Sequence, residues 1–122
     1  MEYLDEIKNI IPELIDDMND IVFYIADINE KNPHHVYLSN GFEQMLGYPK
    51  ERSLNNFNFF YEIVHPDDTK KVKNEIVGSR YKKAIIFRIR KANDEYIKCI
   101  SHNYSKTING KEYAFGIMTK IG

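Results

Sequence analysis

Side chains that could act on a substrate or bind a metal are few in this sequence, and their spacing suits neither task. His34 and His35 are adjacent, so their rings diverge on a strand or loop, and a shared metal is not expected. The single cysteine, Cys99, cannot form an internal disulfide, and it lies in a strand-like run, where cysteine is typically a small buried hydrophobic residue. The sequence also has no Ser/His/Asp order, P-loop or zinc motif. These residue types therefore predict neither an enzyme nor a metal site.

The adjacent carboxylates Asp67 and Asp68 could form an acid–base pair, but their position predicts a structural role. They follow His65-Pro66, and proline suits the first position of a helix. Carboxylates in the first turn are also favoured by the helix dipole. We expect both to cap a helix that runs to about Val77 and ends at Gly78.

Length and composition are those of one globular domain. The chain has 122 residues, 13% of them aromatic, and a formal net charge of -1. Nine acidic residues lie in residues 1–30 and nine basic residues in 70–91; without a nucleic-acid motif, we interpret the basic segment as a solvated face. No apolar run reaches the roughly 18 residues of a membrane helix, and the N-terminus lacks a secretion signal. We expect a cytoplasmic domain that contacts neither nucleic acid nor membrane directly.

Apolar periodicity predicts a helix at the start of the chain. Side chains recur every three or four residues at Leu4, Ile7, Ile11, Leu14 and Met18. This pattern predicts an N-terminal flanking amphipathic helix over residues 1–18. Pro12 removes one helix hydrogen bond, so we expect a first helix to about residue 10, followed by a break or kink.

The next segment predicts two strands followed by a helical corner. Residues 21–26 form a continuous apolar run, typical of a buried strand, and residues 36–38 form a second strand-like run. Ser39 or Asn40 can then cap a short helix, because either side chain accepts a hydrogen bond from a free backbone N–H group. Gly47 is expected to end that helix, because glycine turns there at little cost.

The last third of the chain predicts three strands. The apolar period changes to two, with Arg88 and Arg90 on the face opposite their aliphatic neighbours. Turns are predicted at Asn93-Asp94 and at Asn109-Gly110, the strongest hairpin signal in the chain. The simplest architecture is an α+β fold, in which short helices between the second and third strands cover one face of a five-stranded antiparallel sheet.

Three segments in register resemble the signatures of PAS domains. They are Tyr37–Tyr48, which ends in Leu-Gly-Tyr, Ile63–Asp68, which contains His-Pro-Asp-Asp, and the final Phe115-Gly116-Ile117. The resemblance covers most of the chain and implies a PAS domain over residues 19–122 with sheet order 2-1-5-4-3. It also implies a non-catalytic sensory domain of a larger signal-transduction protein, most often a histidine kinase or a diguanylate cyclase, with the effector domain in the same chain.

The resemblance further implies a ligand pocket between the helices and the concave face of the sheet. Its candidate lining is apolar with a few small polar groups, as is usual in small-ligand sites. The candidate residues are Tyr24, Ala26, Met45, Phe60, Tyr61, Ile85, Phe87, Ile89, Cys99, Ser101, Asn103 and Met118. The alternative is a ligand-free module whose core is filled by these same side chains.

The sequence does not identify a cofactor. Flavin-based light sensors of this superfamily need a reactive cysteine in the segment after Leu-Gly-Tyr, and residues 54–60 contain none. Haem-binding members use a histidine of the long helix, and residues 67–77 contain none. We therefore expect neither a haem nor a flavin adduct, which leaves a small metabolite or no ligand.

The outer face of the predicted sheet is apolar, and such a patch requires a cover. We expect the flanking helix to supply it across a two-fold homodimer. The candidate interface residues are Leu4, Ile7, Ile11, Leu14, Met18, Tyr104 and Phe115. The alternative is a monomer in which the same helix covers its own sheet.

Overall fold

The computed structural model describes residues 2–28, 34–76 and 83–121. Its strands are β1 (Ile21–Asp27), β2 (His34–Leu38), β3 (Lys83–Arg90), β4 (Tyr96–Ile108) and β5 (Lys111–Lys120). Its helices are α1 (Glu2–Asp17), α2 (Gly41–Leu46), α3 (Glu51–Asn55), α4 (Asn58–Ile63) and α5 (Pro66–Ile76). The four helices α2 to α5 therefore lie between the second and third strands in the chain, as predicted.

The five strands form one sheet with the order β2-β1-β5-β4-β3, and every neighbouring pair is antiparallel. This confirms the predicted α+β fold and strand order. The β4–β5 hairpin turns at Asn109 and Gly110, whose φ angles of 52° and 79° match the left-handed backbone that an Asn-Gly turn requires. Asp94 also has a positive φ, 69°, in the predicted turn between β3 and β4.

The core lies between the inner face of the sheet and the helices. Phe42 and Leu46 of α2, Ile63 of α4 and Val72 of α5 are each at most 1% exposed. They pack in one cluster with inward residues of the sheet such as Phe87. Alternation along the strands explains this arrangement, because every second side chain faces the helices.

Two local predictions at helix ends are wrong or incomplete. α1 continues through Pro12 to Asp17, so the predicted break at Pro12 is wrong. The helix continues because a proline removes only one backbone hydrogen bond from it. A kink at Pro12 stays a prediction. Asn40 has helical backbone angles and no capping side-chain bond, because its Oδ1 accepts a hydrogen bond from Lys50 Nζ at 2.7 Å. Ser39 Oγ instead accepts from the backbone N–H of Phe23 at 2.8 Å.

The carboxylate of Asp68 is not used as a helix cap. It accepts hydrogen bonds from Arg88 N at 2.9 Å and from Arg88 Nε and Nη2 at 3.0 Å. α5 begins at Pro66 and has Asp67 and Asp68 in its first turn, as predicted. Asp68 does not cap the helix, because a guanidinium 20 residues away on the edge strand β3 competes for its carboxylate. The start of α5 is capped instead by His65, whose Nδ1 accepts a hydrogen bond from the backbone N–H of Asp67 at 3.1 Å. The predicted end at Gly78 lies outside the described residues.

Candidate ligand site

A cavity of about 30 Å³ lies between the centre of the sheet and the helices. It is lined by Val22, Tyr24, Ala26, Ile28, His35, Leu38, Phe42, Phe57, Phe60, Tyr61, Ser101, Ala114 and Met118. The strands β1, β4 and β5 form one wall, and β2, α2 and α4 form the other walls. A water molecule needs roughly 10–15 Å³, so this cavity accommodates about two water-sized groups.

The structure places six of the twelve candidate pocket residues on this cavity: Tyr24, Ala26, Phe60, Tyr61, Ser101 and Met118. Five others are buried in the core beside it and do not line it: Ile85, Phe87, Ile89, Cys99 and Asn103. Met45 is half-buried against the core. The predicted inward direction of the strand residues is therefore correct, while their role in ligand binding stays a prediction.

Tyr24 lines the cavity and packs closely on a glycine of the neighbouring strand. Tyr24 pairs with Gly116 across β1 and β5. A Cβ atom on Gly116 would lie 2.1 Å from Tyr24 Cε1, so only glycine lets the tyrosine ring approach the sheet this closely. The Tyr24 hydroxyl donates to Asn103 Oδ1 at 2.7 Å, and Ser101 Oγ donates to the same oxygen at 2.8 Å. Burial raises the pKa of the Tyr24 hydroxyl, and proximity to Tyr61 raises it further.

Aromatic rings from the α3–α4 region cover the cavity. Phe57 and Tyr61 meet edge to face at 5.7 Å between ring centroids, and Phe60 and Tyr61 at 5.9 Å. Lys73 Nζ lies 5.2 Å from the Tyr61 ring centroid, so a cation of α5 contacts this cover. Burial raises the pKa of Tyr61 to about 12, so its hydroxyl is protonated at neutral pH.

Seven of the described residues that line the cavity were not among the candidates; six of them are apolar, and the seventh is His35. In β2, Tyr37 pairs with Ile25 but His35 pairs with Ala26, so Val36 is an extra residue with no partner in β1. This bulge reverses the alternation and turns His35 toward the cavity, while Val36 is 53% exposed. The sequence carries no clear signal for the bulge, because a strand of five residues offers too few side chains to define its alternation.

Cys99 and the carboxylates offer no reactive group at this site. Cys99 is fully buried, and burial raises the pKa of its thiol to about 11, which keeps it in the unreactive thiol form. Across residues 2–28, 34–76 and 83–121, no three His, Cys, Asp or Glu side chains come together as a metal site would require.

The candidate dimer residues lie on α1, directly after it at Met18, and on the outer face of the sheet. Ile11, Leu14 and Met18 are 48%, 50% and 43% exposed, and Tyr104 is 44% exposed. Phe115 is half-buried. Leu4 and Ile7 are part of α1, but their side chains are outside what the structure describes.

α1 is tied to the sheet edge by one short hydrogen bond. The Tyr37 hydroxyl donates to Asp16 Oδ1 at 2.6 Å, and the Tyr37 ring contacts Phe23 edge to face at 6.0 Å. Burial and the neighbouring Asp16 carboxylate raise the pKa of Tyr37 to about 12. This chain of contacts connects α1 to β1, the strand that carries Tyr24.

Comparison with sequence families matches residues 35–116 to the model of the PAS fold. No curated protein sequence matches the chain. Among the described residues, no helix is long and apolar enough to cross a membrane.

Several solved structures share the fold. The PAS domain of an HTR-like protein from Haloarcula marismortui is 15% identical with a TM-score of 0.73, over 98% of this chain and 96% of that one. The LOV domain of a blue-light activated histidine kinase from Erythrobacter litoralis is 20% identical with a TM-score of 0.66, over 84% and 96%. The N-terminal domain of a diguanylate cyclase with a PAS/PAC sensor from Marinobacter aquaeolei is 15% identical with a TM-score of 0.68, over 82% and 94%.

Proposed function

The chain belongs to the PAS-fold family, and we propose that it is a non-catalytic sensory domain of a larger cytoplasmic signal-transduction protein. Domains with this fold occur in a histidine kinase and in a diguanylate cyclase with a PAS/PAC sensor, which supports this role. In the parent protein, an effector domain would respond to the state of this domain. A histidine kinase is the parent we propose first.

We propose that the domain senses a small cytosolic molecule that binds in the cavity. The observation that carries this proposal is the partly open apolar cavity at the centre of the sheet, lined by Phe57, Phe60 and Tyr61. A ligand changes the output only if it binds one arrangement of the domain better than another. Contacts from Tyr24 through β1 to Tyr37 and Asp16 provide a route by which such a difference reaches α1.

The test is to identify what copurifies with the full chain. Mass spectrometry of the denatured extract should show one small compound, and a variant that fills the cavity, Ala114→Leu, should lose it. Ala84→Leu is the matched control, because Ala84 is exposed on β3 and does not line the cavity. A clean extract from the wild type, with no compound that raises its melting temperature, would contradict ligand sensing.

A second candidate is a ligand-free homodimerisation module with a self-filled core. The observation that favours it is the size of the cavity, since about 30 Å³ excludes a flavin or a haem in this arrangement. Apolar residues exposed on α1 and on the outer sheet face would then be buried by a second copy of the chain. Charge supports this pairing, because Glu13 and Asp17 are exposed on α1 while Lys98 and Lys106 are exposed on β4.

Light scattering tests the dimer directly. Leu14→Glu on α1 and Ile117→Glu on β5 should each convert a dimer to a monomer, because each places a charge in the apolar contact. Ile108→Glu is the control, since Ile108 is similarly exposed, at 42%, but lies at the end of the β4–β5 hairpin. A wild-type chain that is monomeric at high concentration would contradict this candidate.

A further inference from the structure

His35 is positioned as a polar contact inside an otherwise apolar cavity. The bulge at Val36 turns the imidazole inward, and rings on two sides hold it: Phe57 at 4.9 Å and Tyr24 at 6.1 Å between centroids. Its Nδ1 lies 3.3 Å from both the carbonyl oxygen and the hydroxyl oxygen of Ser53, which is fully buried. The ring is therefore fixed from α3, and its orientation does not depend on a ligand.

The contact with Ser53 defines which ring nitrogen is free. The Ser53 hydroxyl can donate or accept, but its carbonyl oxygen can only accept, and an unprotonated Nδ1 would turn its lone pair toward that oxygen at 3.3 Å. We therefore assign the Nδ1–H tautomer, which donates to Ser53 O. Nε2 then carries a lone pair and has no partner among the described residues. Every buried side-chain nitrogen or oxygen in that set is partnered, so Nε2 borders open space. Burial lowers the pKa of His35, which favours the neutral ring.

Other polar groups on the cavity wall are already used. The hydroxyls of Tyr24 and Ser101 both donate to Asn103 Oδ1, which leaves no free donor hydrogen on either. The remaining lining is aliphatic or aromatic apart from the Tyr61 hydroxyl. The hydroxyl oxygens of Tyr24, Ser101 and Tyr61 can still accept, but the imidazole nitrogen is a stronger acceptor than a hydroxyl oxygen, so a hydrogen bond to Nε2 would orient a ligand in this apolar site.

We infer that the cavity takes a small neutral molecule whose hydroxyl or N–H group donates a hydrogen bond to His35 Nε2, with a short apolar group beside Phe60 and Met118. His35 is then the residue that determines specificity. This inference rests on the ligand-sensing role proposed above. The size of the cavity restricts the bound group to roughly two or three non-hydrogen atoms.

Two test compounds of equal size separate the hydrogen bond from simple filling of space. Ethanol and acetonitrile each have three non-hydrogen atoms, but only ethanol donates a hydrogen bond. Each is titrated into the full chain, and binding is followed by NMR of the methyl groups of Ala26, Ala114 and Met118, which line the cavity. Ethanol should shift these signals and should also shift the ¹⁵N resonance of His35 Nε2, whereas acetonitrile should leave Nε2 unchanged.

Substitution of His35 provides a matched pair. In His35→Asn the amide lies near the former Nδ1 position and can keep the contact with Ser53, while in His35→Gln it reaches the Nε2 position. The Asn variant should bind ethanol about fivefold to tenfold more weakly, the effect of one hydrogen bond, and the Gln variant should bind it as the wild type does. Acetonitrile should bind all three proteins equally.

Each other outcome has a definite meaning. Equal ethanol affinity in the Asn and Gln variants, or an Nε2 resonance that ethanol leaves unshifted, overturns the role of His35 while leaving the cavity as a ligand site. Acetonitrile binding that depends on His35 overturns the assigned tautomer and the donor class of the ligand. If neither compound shifts the cavity methyl signals of the wild type, the ligand-sensing proposal itself fails. The Nε2 measurement needs no variant, so it decides the question even if a substitution prevents folding.

Discussion

Gly116→Ala should destabilise the protein through a clash with one side chain, Tyr24. The new Cβ would lie 2.1 Å from Tyr24 Cε1 and 2.7 Å from the hydroxyl oxygen, whereas carbon atoms in contact are roughly 3.5–4.0 Å apart. The ring must therefore move by more than 1 Å, on the order of the missing separation. This movement also breaks the 2.7 Å hydrogen bond to Asn103.

The expected cost combines three effects. Overpacking of a filled core costs about 1–3 kcal/mol, and the lost hydrogen bond costs about 1 kcal/mol. Replacing a strand glycine by alanine also stabilises the protein by about 0.5–1 kcal/mol, because it reduces the conformational entropy of the unfolded chain. We expect Gly116→Ala to lower the free energy of unfolding by about 2 kcal/mol, measured by urea denaturation.

A double-mutant cycle tests whether Tyr24 causes this loss. In a Tyr24→Ala background the clash is absent, so Gly116→Ala should be neutral or slightly stabilising, which gives a coupling energy of about 2–3 kcal/mol. Gly110→Ala is the control: its Cβ meets no atom within 4 Å, but its φ of 79° costs roughly 1 kcal/mol in either background. Equal costs of Gly116→Ala with and without the Tyr24 ring would refute the close approach of ring and sheet.

Three further outcomes are expected. Asp68→Asn should cost about 1–2 kcal/mol at pH 7 by urea denaturation, because it removes the charge that Arg88 contacts. Hydrogen bonds from Arg88 lower the pKa of Asp68 to about 2, so this stabilisation is fully present above about pH 4. The difference in stability between variant and wild type should therefore shrink as the pH falls toward 2. A difference that stays constant with pH would contradict the ion pair. Cys99 should react with a thiol reagent only as fast as the chain unfolds in urea; fast reaction of the native protein would contradict its burial. Tyr48→Phe should cost about 1 kcal/mol in the same urea assay, because its hydroxyl donates to Arg90 O at 2.9 Å, and an unchanged midpoint would contradict that bond.

Local signals predicted most of the fold. The alternation in residues 83–90 gave the direction of Ile85 and Phe87, and Asn109-Gly110 gave the hairpin between β4 and β5. Gly47 ends α2 with a φ of 85°, as predicted. Each of these features depends on backbone preferences or on the period of neighbouring residues, which are present in the sequence itself.

Half of the candidate pocket residues line the cavity. Packing, rather than the alternation along the strands, explains why the other half do not. Alternation gave the inward direction of the candidate residues on β1, β3, β4 and β5 correctly, whereas β2 has a bulge that alternation does not predict. Which inward residue meets the cavity depends on where the helices contact the sheet: Phe87, for example, contacts the Phe60 ring at 6.1 Å and is buried beside the cavity. That position is decided by side chains distant in the chain, so no local pattern contains it.

The sequence by itself determined the order of elements, the inward face of the strands and the family, because these follow from short-range periodicity, turn chemistry and recurring motifs. Only the tertiary structure decided the bulge at Val36 that turns His35 inward, the pairing of Asp68 with Arg88, and the volume of the cavity. A cavity volume is the small difference between the space enclosed by distant elements and the side chains that fill it. Such a difference arises only when all of these side chains are packed together.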